Sequence, residues 1–362
     1  MDWAASKMTE LSLENLGWSS WFESQAVAGD GDSTFARVAA VDRDQFLLAG
    51  EAGFFRAKRS GKLLYDAPSL SQTPCVGDWV CVTKSPQDQF GMIHGVLDRK
   101  SYLRRRVAGD SADFQMIASN VDVVIVVQSC HYDFNINRLE RYIVMAMDGG
   151  AIPVILLTKV DLVTPEVLAD QINQIRNAGI TEPVVPLSNV TGVGIENLTA
   201  ILSPGKTYCF VGSSGVGKST IINTLMGRDT LATQWVSATG EGKHTTVRRE
   251  LLLLDNGAMV IDNPGMRELG MLDAEDGIQA SFRDIQVLSA QCRFRDCTHT
   301  GEPGCAVQQA VERGEMDGDH YENYVKLKDE SQFYQMSYAE KRKKDRDFGR
   351  FIKTAKKDLR KK

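Results

Sequence analysis

Residues 210–220 read FVGSSGVGKST, and this stretch decides the fold of the central part of the chain. An apolar strand, YCFV, runs into a glycine-rich turn, and the turn opens a helix. The turn fits the pattern G-x4-G-K-[ST], in which backbone N–H groups and a lysine bind the phosphates of a nucleotide. The alternative is a glycine-rich strand–helix turn with an incidental lysine. The fit on both sides of the turn favours an α/β nucleotide-binding domain.

The side chains of this phosphate loop have separate predicted roles. Lys218 is predicted to reach the β- and γ-phosphates, and its charge makes it a candidate catalytic residue. Ser219 is predicted to bind Mg²⁺. The rest of the loop surrounds the phosphates, so the predicted nucleotide-binding set also includes Gly212, Ser213, Ser214, Gly215, Val216, Gly217 and Thr220.

A second motif, TKVD at residues 158–161, follows the apolar run PVILL and is close to the N-K-x-D element that recognises guanine in GTPases. The carboxylate of Asp161 would accept hydrogen bonds from guanine N1–H and the 2-amino group, which adenine does not offer in that arrangement. The stem of Lys159 would pack along the base, with Val160 between these two residues. Thr158 replaces the usual Asn, and its shorter hydroxyl is expected to lose a contact to the base or to the phosphate loop.

Further short motifs lie at predicted strand ends or in the loops between them. Ser188 and Asn189 are candidates for contact with guanine O6. Asp262 and Gly265 fit D-x-x-G, in which the Asp holds Mg²⁺ through water and the Gly N–H senses the γ-phosphate. In GEGKHTTV, residues 240–247, Thr245 or Thr246 can serve as the switch threonine, and we assign Thr246 to Mg²⁺ and catalysis. Each motif is weak alone, but the set predicts a GTPase.

The order of these motifs is unusual, because the base-recognition motifs precede the phosphate loop. A circularly permuted GTPase gives this order, and all the loops still meet at one edge of the sheet. From about residue 118 the sequence alternates strands and helices, which predicts a doubly wound, largely parallel α/β sheet.

The region before this sheet has a different sequence pattern. Residues 34–100 contain five short strand-like runs separated by turns, which predict a small all-β barrel. The pattern does not distinguish an oligonucleotide-binding (OB) barrel from an SH3-like one. The stretch DRKSYLRRR, residues 98–106, suits phosphate contacts and base stacking.

Three of the seven cysteines fall within 14 residues, in CRFRDCTHTGEPGC. Together with one histidine they form a Cys3His set, the composition of a closed tetrahedral structural zinc site. The predicted ligands are Cys292, Cys297, His299 and Cys305. The spacing differs from the common C-x2-C, and the alternative is a group of reduced, unligated cysteines.

Composition and charge place the chain among soluble globular proteins. Its 362 residues are 43% hydrophobic and 25% charged, without a signal-peptide pattern or a membrane-spanning run, so we expect a cytoplasmic protein. The net charge of −5 is divided unevenly, because residues 341–362 hold 12 Lys/Arg against three Asp. Such a tail is typical of contact with a polyanion such as nucleic acid. The alternative is a solvated terminus without a partner, and an anionic membrane is less favoured.

The permuted motif order, the barrel before it and the Cys/His cluster after it resemble the RsgA (YjeQ) family, GTPases of bacterial small-ribosomal-subunit maturation. The resemblance implies an OB-fold RNA-binding domain at 34–112, a permuted GTPase domain at 113–273, and a mainly helical zinc domain with the basic tail at 274–362. Residues 1–33 would be an N-terminal extension. It also implies that the chain binds the small subunit and its 16S rRNA late in assembly, near the decoding region, and leaves after GTP hydrolysis. We expect one structural Zn²⁺, Mg²⁺ with GTP, no membrane partner and a monomer.

The chain departs from the family pattern at four positions, which are Thr158, Asn189, Asn263 and Val247. After the D-x-x-G glycine stands Met266, which cannot orient water as the Gln of many GTPases does, so we expect slow intrinsic hydrolysis stimulated by the small subunit. His244 is a tentative candidate for positioning water, against the alternative of a solvent-facing loop histidine. Two rival functions are an ATP-dependent P-loop kinase, if TKVD is accidental, and an RNA-binding scaffold that never hydrolyses its nucleotide.

Overall fold

The computed structural model describes residues 11–26, 33–42, 44–51, 53–66, 72–84, 90–106, 114–227, 249–262 and 274–335. The chain divides into two compact units, Met1–Leu269 and Gly270–Lys362. The first contains a β-barrel and an α/β domain, and the second is helical. Within the described ranges, no helix combines the length and the apolar character that crossing a membrane requires.

The five strands predicted before the α/β sheet are confirmed, and they close into a barrel. The elements are α1 Ser20–Glu23, β1 Ser33–Asp42, β2 Gln45–Gly50, β3 Gly53–Arg59, α2 Gly61–Asp66, β4 Trp79–Thr83 and β5 Gly91–Val96. The strand order is β1-β2-β3-β5-β4, and β4 returns to pair with β1. The β3–β5 pair is parallel and the others are antiparallel. This is the five-stranded Greek-key barrel of the OB type, which the strand pattern in the sequence did not distinguish from an SH3-like barrel.

The described part of the N-terminal extension packs against the barrel and the α/β sheet. Leu16 and Phe22 are buried in one hydrophobic cluster with Trp79 of β4 and Met259 of the α/β domain. The rings of Phe22 and Trp79 lie 5.8 Å apart, within the range of favourable aromatic pairs. Burial of each such side chain contributes about 1.5–3 kcal/mol, so residues 11–26 stabilise this unit.

A buried arginine connects these parts of the first unit. Arg37 of β1 donates hydrogen bonds to the carbonyl oxygens of Leu16 at 2.5 Å, Gly77 at 3.2 Å and Asn120 at 3.0 Å. Burial lowers the pKa of Arg37 to about 10, and the nearby carboxylates of Asp122 and Asp78 oppose that shift. The side chain therefore stays charged at neutral pH while its donors are satisfied by backbone carbonyls.

A two-stranded antiparallel ribbon follows the barrel, made of β6 Tyr102–Arg106 and β7 Phe114–Ser119. The basic stretch singled out in the sequence is thus partly a strand. The guanidinium of Arg104 stacks over the rings of Tyr102 at 5.1 Å and Phe114 at 4.9 Å. Arg104 also pairs with Asp148 at 3.1 Å, so the ribbon is tied to the α/β domain.

The predicted parallel α/β sheet is confirmed. Its elements are β8 Val123–Ser129, α3 Ile136–Asp148, β9 Ile152–Thr158, α4 Pro165–Asn177, β10 Val184–Pro186, α5 Ile195–Ile201, β11 Thr207–Val211, α6 Lys218–Leu225, β12 Glu250–Leu253 and β13 Met259–Asp262. The strand order is β10-β9-β8-β11-β13-β12, and only β12 is antiparallel to its neighbour in this part. Strand β12 also pairs with β1 at Glu250 and Ala40, so barrel and domain share one eleven-stranded sheet.

Local signals in the sequence fix the ends of the helices in this domain. Helix α4 begins after Thr164, whose hydroxyl accepts from the Val167 N–H, and Pro165 occupies its first turn as predicted. Gly179 follows the helix with φ 73°, a conformation that glycine adopts without strain.

The second unit is helical around the Cys/His cluster, as predicted. Its helices are α7 Glu275–Ser281, α8 Arg283–Ser289, α9 Ala306–Glu312 and α10 Gly318–Gln335. The boundary predicted at residues 273/274 lies close to the division of the two units, but the exact domain boundaries stay a prediction. The basic tail, residues 341–362, lies outside the described residues.

Candidate nucleotide site and metal centre

The parallel strands bring the predicted nucleotide residues to one edge of the sheet. Ser129 at the end of β8 pairs with Thr158 at the end of β9, and Leu157 pairs with Pro186 at the end of β10. The phosphate loop follows β11 at the same edge, because β11 is parallel to β8 and β13. Asp262 is the last residue of β13. Ligands of open α/β sheets bind at this carboxyl edge.

The phosphate loop has a backbone that its first glycine makes possible. Gly212 has φ 144°, and a Cβ placed on it would lie 2.2 Å from the Val127 carbonyl oxygen. No side chain fits there without moving the strand. Gly215 and Gly217 also have positive φ, and α6 begins directly at Lys218 with Ser219 and Thr220 in its first turn. The loop and the helix N-terminus thus form the arrangement that binds phosphate.

Two opposite charges, Lys218 and Asp262, interact electrostatically at this loop. The Lys218 ammonium donates to the carbonyl oxygens of Gly212 at 2.7 Å and Ser213 at 2.6 Å. Burial lowers the pKa of Lys218, and the negative charges of Asp262 and Asp133 oppose the shift. Burial likewise raises the pKa of Asp262, and Lys218 opposes that. A partly buried cation that interacts electrostatically with a carboxylate suits a site for phosphate and a divalent ion.

The end of β9 has the geometry of a base-recognition loop. Lys159 adopts a left-handed conformation, with φ 59°, which is uncommon for a side chain other than glycine. The Ser188 hydroxyl donates to the Asp161 carboxylate at 2.5 Å and accepts from the N–H groups of Val190 and Thr191. These bonds hold the Asp161 carboxylate in one orientation. Ser188 therefore supports Asp161, a contact that the sequence motif alone does not predict.

Thr158 keeps a contact to the phosphate loop, which was one of the two alternative losses expected from the sequence. Its side chain is fully buried, and its hydroxyl lies 2.7 Å from the Val216 carbonyl oxygen and 3.3 Å from that of Gln128. Strand β9 and the phosphate loop are close enough here that the Thr158 side chain, although shorter than Asn, still reaches the Val216 carbonyl oxygen.

Asn189 also contacts the phosphate loop. Its Nδ2 atom lies 3.1 Å from the position that a Cβ on Gly217 would occupy. Its Oδ1 atom is buried without a hydrogen-bond partner among the described residues. Val216 and Gly217 are thus covered by the side chains of Thr158 and Asn189.

Several predicted site residues cannot be placed. Gly265 of the D-x-x-G motif lies outside the described residues, and so do Asn263 and Met266. The same is true of His244, Thr245, Thr246 and Val247. Their roles in catalysis and in Mg²⁺ binding stay predictions.

The four predicted metal ligands come together in the second unit. One donor atom from each of Cys292, Cys297, His299 and Cys305 lies within 4.8 Å of the others. His299 Nδ1 lies 3.4 Å from Cys305 Sγ and 3.6 Å from Cys292 Sγ, and the two sulfurs are 4.0 Å apart. Four ligands about 2.3 Å from a tetrahedral ion are separated by roughly 3.8 Å, so this set fits Zn²⁺.

Ser289, which no sequence motif marks, determines which nitrogen of His299 would bind a metal. The Ser289 hydroxyl donates to the Ile285 carbonyl at 2.7 Å, so it accepts from His299 Nε2 at 3.0 Å. That bond places the proton on Nε2 and leaves the Nδ1 lone pair facing the sulfurs. Burial lowers the pKa of His299, which favours the neutral imidazole that binds a metal.

A carboxylate holds the loop that carries His299. Glu302 accepts from the N–H groups of Thr298 at 2.8 Å, Thr300 at 3.0 Å and Gly301 at 3.2 Å. Hydrogen bonds from Thr298 lower the pKa of Glu302 to about 2, and the bond from the Thr298 side chain has a larger effect than the bond from its backbone N–H. The carboxylate is thus ionised at neutral pH and keeps the loop closed beside the metal ligands. In the sequence, Glu302 is marked only by its position between two predicted metal ligands, His299 and Cys305.

Replacing Ser289 by Ala should lower the affinity of the second unit for Zn²⁺ by about 10- to 100-fold, because His299 loses the bond that orients it. Competition with a coloured zinc chelator measures this change. Ser289→Thr, which keeps the hydroxyl, should retain most of the affinity. Ser281→Ala, at the end of α7 and outside the ligand set, is the matched control. An equal loss in the Ser281 and Ser289 variants would contradict the assignment.

Comparison with known proteins gives concordant results. Residues 96–272 match a family model described as "RsgA GTPase". The chain is 43% identical over 298 residues to "Small ribosomal subunit biogenesis GTPase RsgA 2" of Lactiplantibacillus plantarum, which covers 82% of this chain and 83% of that protein. It is 37% identical over 359 residues to the protein of the same name from Vibrio parahaemolyticus, covering 98% of this chain and 95% of that one.

Solved structures show the same arrangement. YjeQ from Thermotoga maritima matches with a TM-score of 0.61 at 28% identity, covering 82% of this chain and 97% of that one. YloQ, described as a circularly permuted GTPase, matches with a TM-score of 0.60 at 25% identity, covering 86% of this chain and 99% of that one. The permuted motif order of the present chain therefore has a solved counterpart in YloQ.

Proposed function

The chain belongs to the RsgA family of circularly permuted GTPases, and from this premise we propose that it hydrolyses GTP while bound to the small ribosomal subunit late in subunit assembly. The observation that carries the proposal is the convergence of the phosphate loop, the Asp161 loop and Asp262 at one sheet edge. Hydrolysis then releases the protein, and the cycle aids maturation of the decoding region. The site of action is the cytoplasm.

The proposed roles of the nucleotide-site residues follow from their sequence motifs and, for the described residues, also from their positions. The phosphate-loop N–H groups and Lys218 bind the β- and γ-phosphates and stabilise the charge that develops on them. Ser219 and Asp262, with Thr246, would hold Mg²⁺, which would supply positive charge to neutralise the phosphates. Asp161 selects guanine, and Ser188 keeps its carboxylate oriented. Gly265 senses the γ-phosphate.

Hydrolysis by the protein alone is slow in this account. Met266 stands where many GTPases have a Gln, and a thioether neither donates a proton nor accepts strongly from water. The small subunit accelerates the reaction by ordering the switch loops or by supplying the missing group, as activating proteins do for other GTPases. His244 is the residue of this chain that we propose to position water.

The surface of the first unit supports a contact with 16S rRNA. On the barrel, Lys58 lies 4.5 Å from the ring centre of Phe90, and Lys84 lies 4.7 Å from that of Phe55. On the ribbon, Arg104 stacks on two aromatic rings and Arg105 is exposed. Cations beside aromatic faces bind phosphates and stack on unpaired bases. The basic tail adds charge for the same partner.

Cosedimentation with purified small subunits tests the cycle. We expect binding at least tenfold tighter with a non-hydrolysable GTP analogue than with GDP, since γ-phosphate contacts order segments that GDP leaves free. Large subunits serve as the control. Equal affinity for small subunits in both nucleotide states would contradict release by hydrolysis.

A further inference from the structure

We propose that the ring of Tyr132 is a stacking platform for an unpaired base of the rRNA of the small subunit. The platform lies on the α/β domain, in the loop of residues 130–135 that connects β8 to α3 at the carboxyl edge of the sheet. No motif in the sequence marks this loop. The inference rests on the proposed function, because it names a further contact between the chain and the same subunit.

The backbone of Tyr132 is strained. Its φ is 66°, in the left-handed region that a bulky side chain rarely adopts. Among the described residues, the other non-glycine positions with positive φ are Asn120, Lys159 and His299. Asparagine tolerates this conformation, Lys159 belongs to the base-recognition loop, and His299 is a predicted metal ligand. Such strain persists mainly at functional positions, and Tyr132 gains no burial of its side chain in return for it.

The side chain of Tyr132 is held in solvent. It is 96% exposed, and the ring of His131 lies beside it, with the two ring centres 3.7 Å apart and the planes inclined by 59°. The backbone of His131 is fixed in turn by the Ser129 hydroxyl, which accepts from its N–H at 3.1 Å and donates to its carbonyl oxygen at 2.8 Å. A tyrosine has only two side-chain angles to immobilise when a partner covers it, so an exposed one suits a contact surface.

Hydrogen bonds fix the loop on both sides of Tyr132. The Cys130 N–H donates to the Thr158 carbonyl oxygen at 2.9 Å, which ties the start of the loop to the end of β9. The buried side chain of Gln128 donates from Nε2 to the Asp133 carbonyl oxygen at 2.9 Å. The ring therefore projects from a fixed backbone at the edge of the sheet that carries the nucleotide site, and a partner need not order the loop in order to use it.

The chemistry around the ring favours an RNA base as the partner. Asp133, the acid next to Tyr132, forms an ion pair with Arg138 at 2.8 Å, so its charge is compensated and does not repel a polyanion. The same pair engages Arg138, which leaves the ring rather than a cation as the contact group. An unpaired base stacks on an aromatic ring through its π face, whatever its sequence. A protein partner would need a wider apolar surface, and the chain neighbours of Tyr132, His131 and Asp133, are polar.

The affinity of the full-length protein for purified small subunits, measured with a non-hydrolysable GTP analogue, tests the contact. Tyr132→Ala should weaken binding by about 5- to 150-fold, the effect of losing one base stacked on one aromatic ring. Tyr132→Trp keeps a stacking ring and should bind as the wild-type protein does. Ile152→Ala is the matched control, because Ile152 is 64% exposed at the first residue of β9, on the opposite edge of the same sheet. It should leave binding unchanged.

Tyr132→Asn separates the contact from a structural role. Asparagine adopts a positive φ with less strain than tyrosine, so this variant should unfold at a temperature at least as high as the wild-type protein. Its binding to small subunits should nevertheless fall as in Tyr132→Ala. A lower unfolding temperature of Tyr132→Asn would identify the ring as a structural element and would overturn the proposal.

Photo-crosslinking identifies the partner. With 4-azidophenylalanine in place of Tyr132, irradiation of the complex with small subunits should attach the protein to 16S rRNA. Attachment to a ribosomal protein instead, or to nothing, would overturn the proposal, and so would wild-type affinity of Tyr132→Ala. If the wild-type protein itself failed to bind small subunits, the proposed function would be refuted. Tight wild-type binding that does not depend on the ring of Tyr132 would refute only the stacking platform.

Discussion

Replacing Asp161 by Asn should convert the protein from a GTP-binding into an XTP-binding one. The carboxylate accepts two hydrogen bonds from guanine, and an amide presents a donor where guanine also has a donor. Loss of two charge-assisted bonds costs about 3 kcal/mol or more, which corresponds to at least roughly a hundredfold in Kd. Xanthine carries an oxygen in place of the 2-amino group, so the Asn amide can donate to it and affinity returns.

Fluorescent-nucleotide displacement by GTP, XTP and ATP measures this exchange. Asp170→Asn is the matched control, because it makes the same change of charge on the exposed face of α4, where Asp170 accepts from Gln174 at 2.7 Å. The control should bind GTP as the wild-type protein does. If Asp161→Asn bound GTP normally, or if ATP bound as well as GTP to the wild-type protein, TKVD would be an accidental match and a P-loop kinase would become the better interpretation.

Removing the metal, or replacing Cys305 by Ser, should unfold much of the second unit. The described core of this unit is small, with Phe282, Ile285, Val307 and Leu327 among its buried apolar side chains. Structural zinc supplies about 10–16 kcal/mol of apparent binding free energy in comparable small sites, more than so small a core provides unaided. The loop that carries His299 and Glu302 would lose its anchor first.

Hydrogen exchange resolved along the chain measures this loss. With a strong chelator, amides of α8, α9 and the loop between them should exchange much faster, while those of β8, β9 and β11 keep their protection. Cys81→Ser, in the barrel strand β4 and outside the metal cluster, is the control and should leave exchange in the second unit unchanged. Unchanged protection of the second unit after complete removal of the metal would show that the cysteines are merely reduced thiols.

Much of the fold could be predicted because its signals are local in sequence. The phosphate loop has three glycines within the six residues before Lys218, and the predicted metal ligands lie within 14 residues. The Thr164–Pro165 pair at the start of α4 is equally local. Such patterns constrain a few consecutive backbone angles, and the structure confirms the elements they predict.

Features that depend on distant pairing could not be predicted in the same way. The barrel is of the OB type because β4 returns to β1 and β3 pairs with β5, and no short stretch encodes that order. The burial of Leu16 beside Met259 joins residues far apart in sequence. Ser289 and Thr158 act through partners 10 and 58 residues away, so their roles appear only once the chain is folded.

One measurement tests the central claim most directly: the rate of GTP hydrolysis by the purified protein alone and with purified small ribosomal subunits, with ATP and large subunits as controls. We predict slow hydrolysis alone and an increase of about a hundredfold or more that requires both GTP and small subunits. A rate of GTP hydrolysis that small subunits leave unchanged would contradict the role in small-subunit assembly, and equal hydrolysis of ATP would contradict the assignment of the nucleotide site.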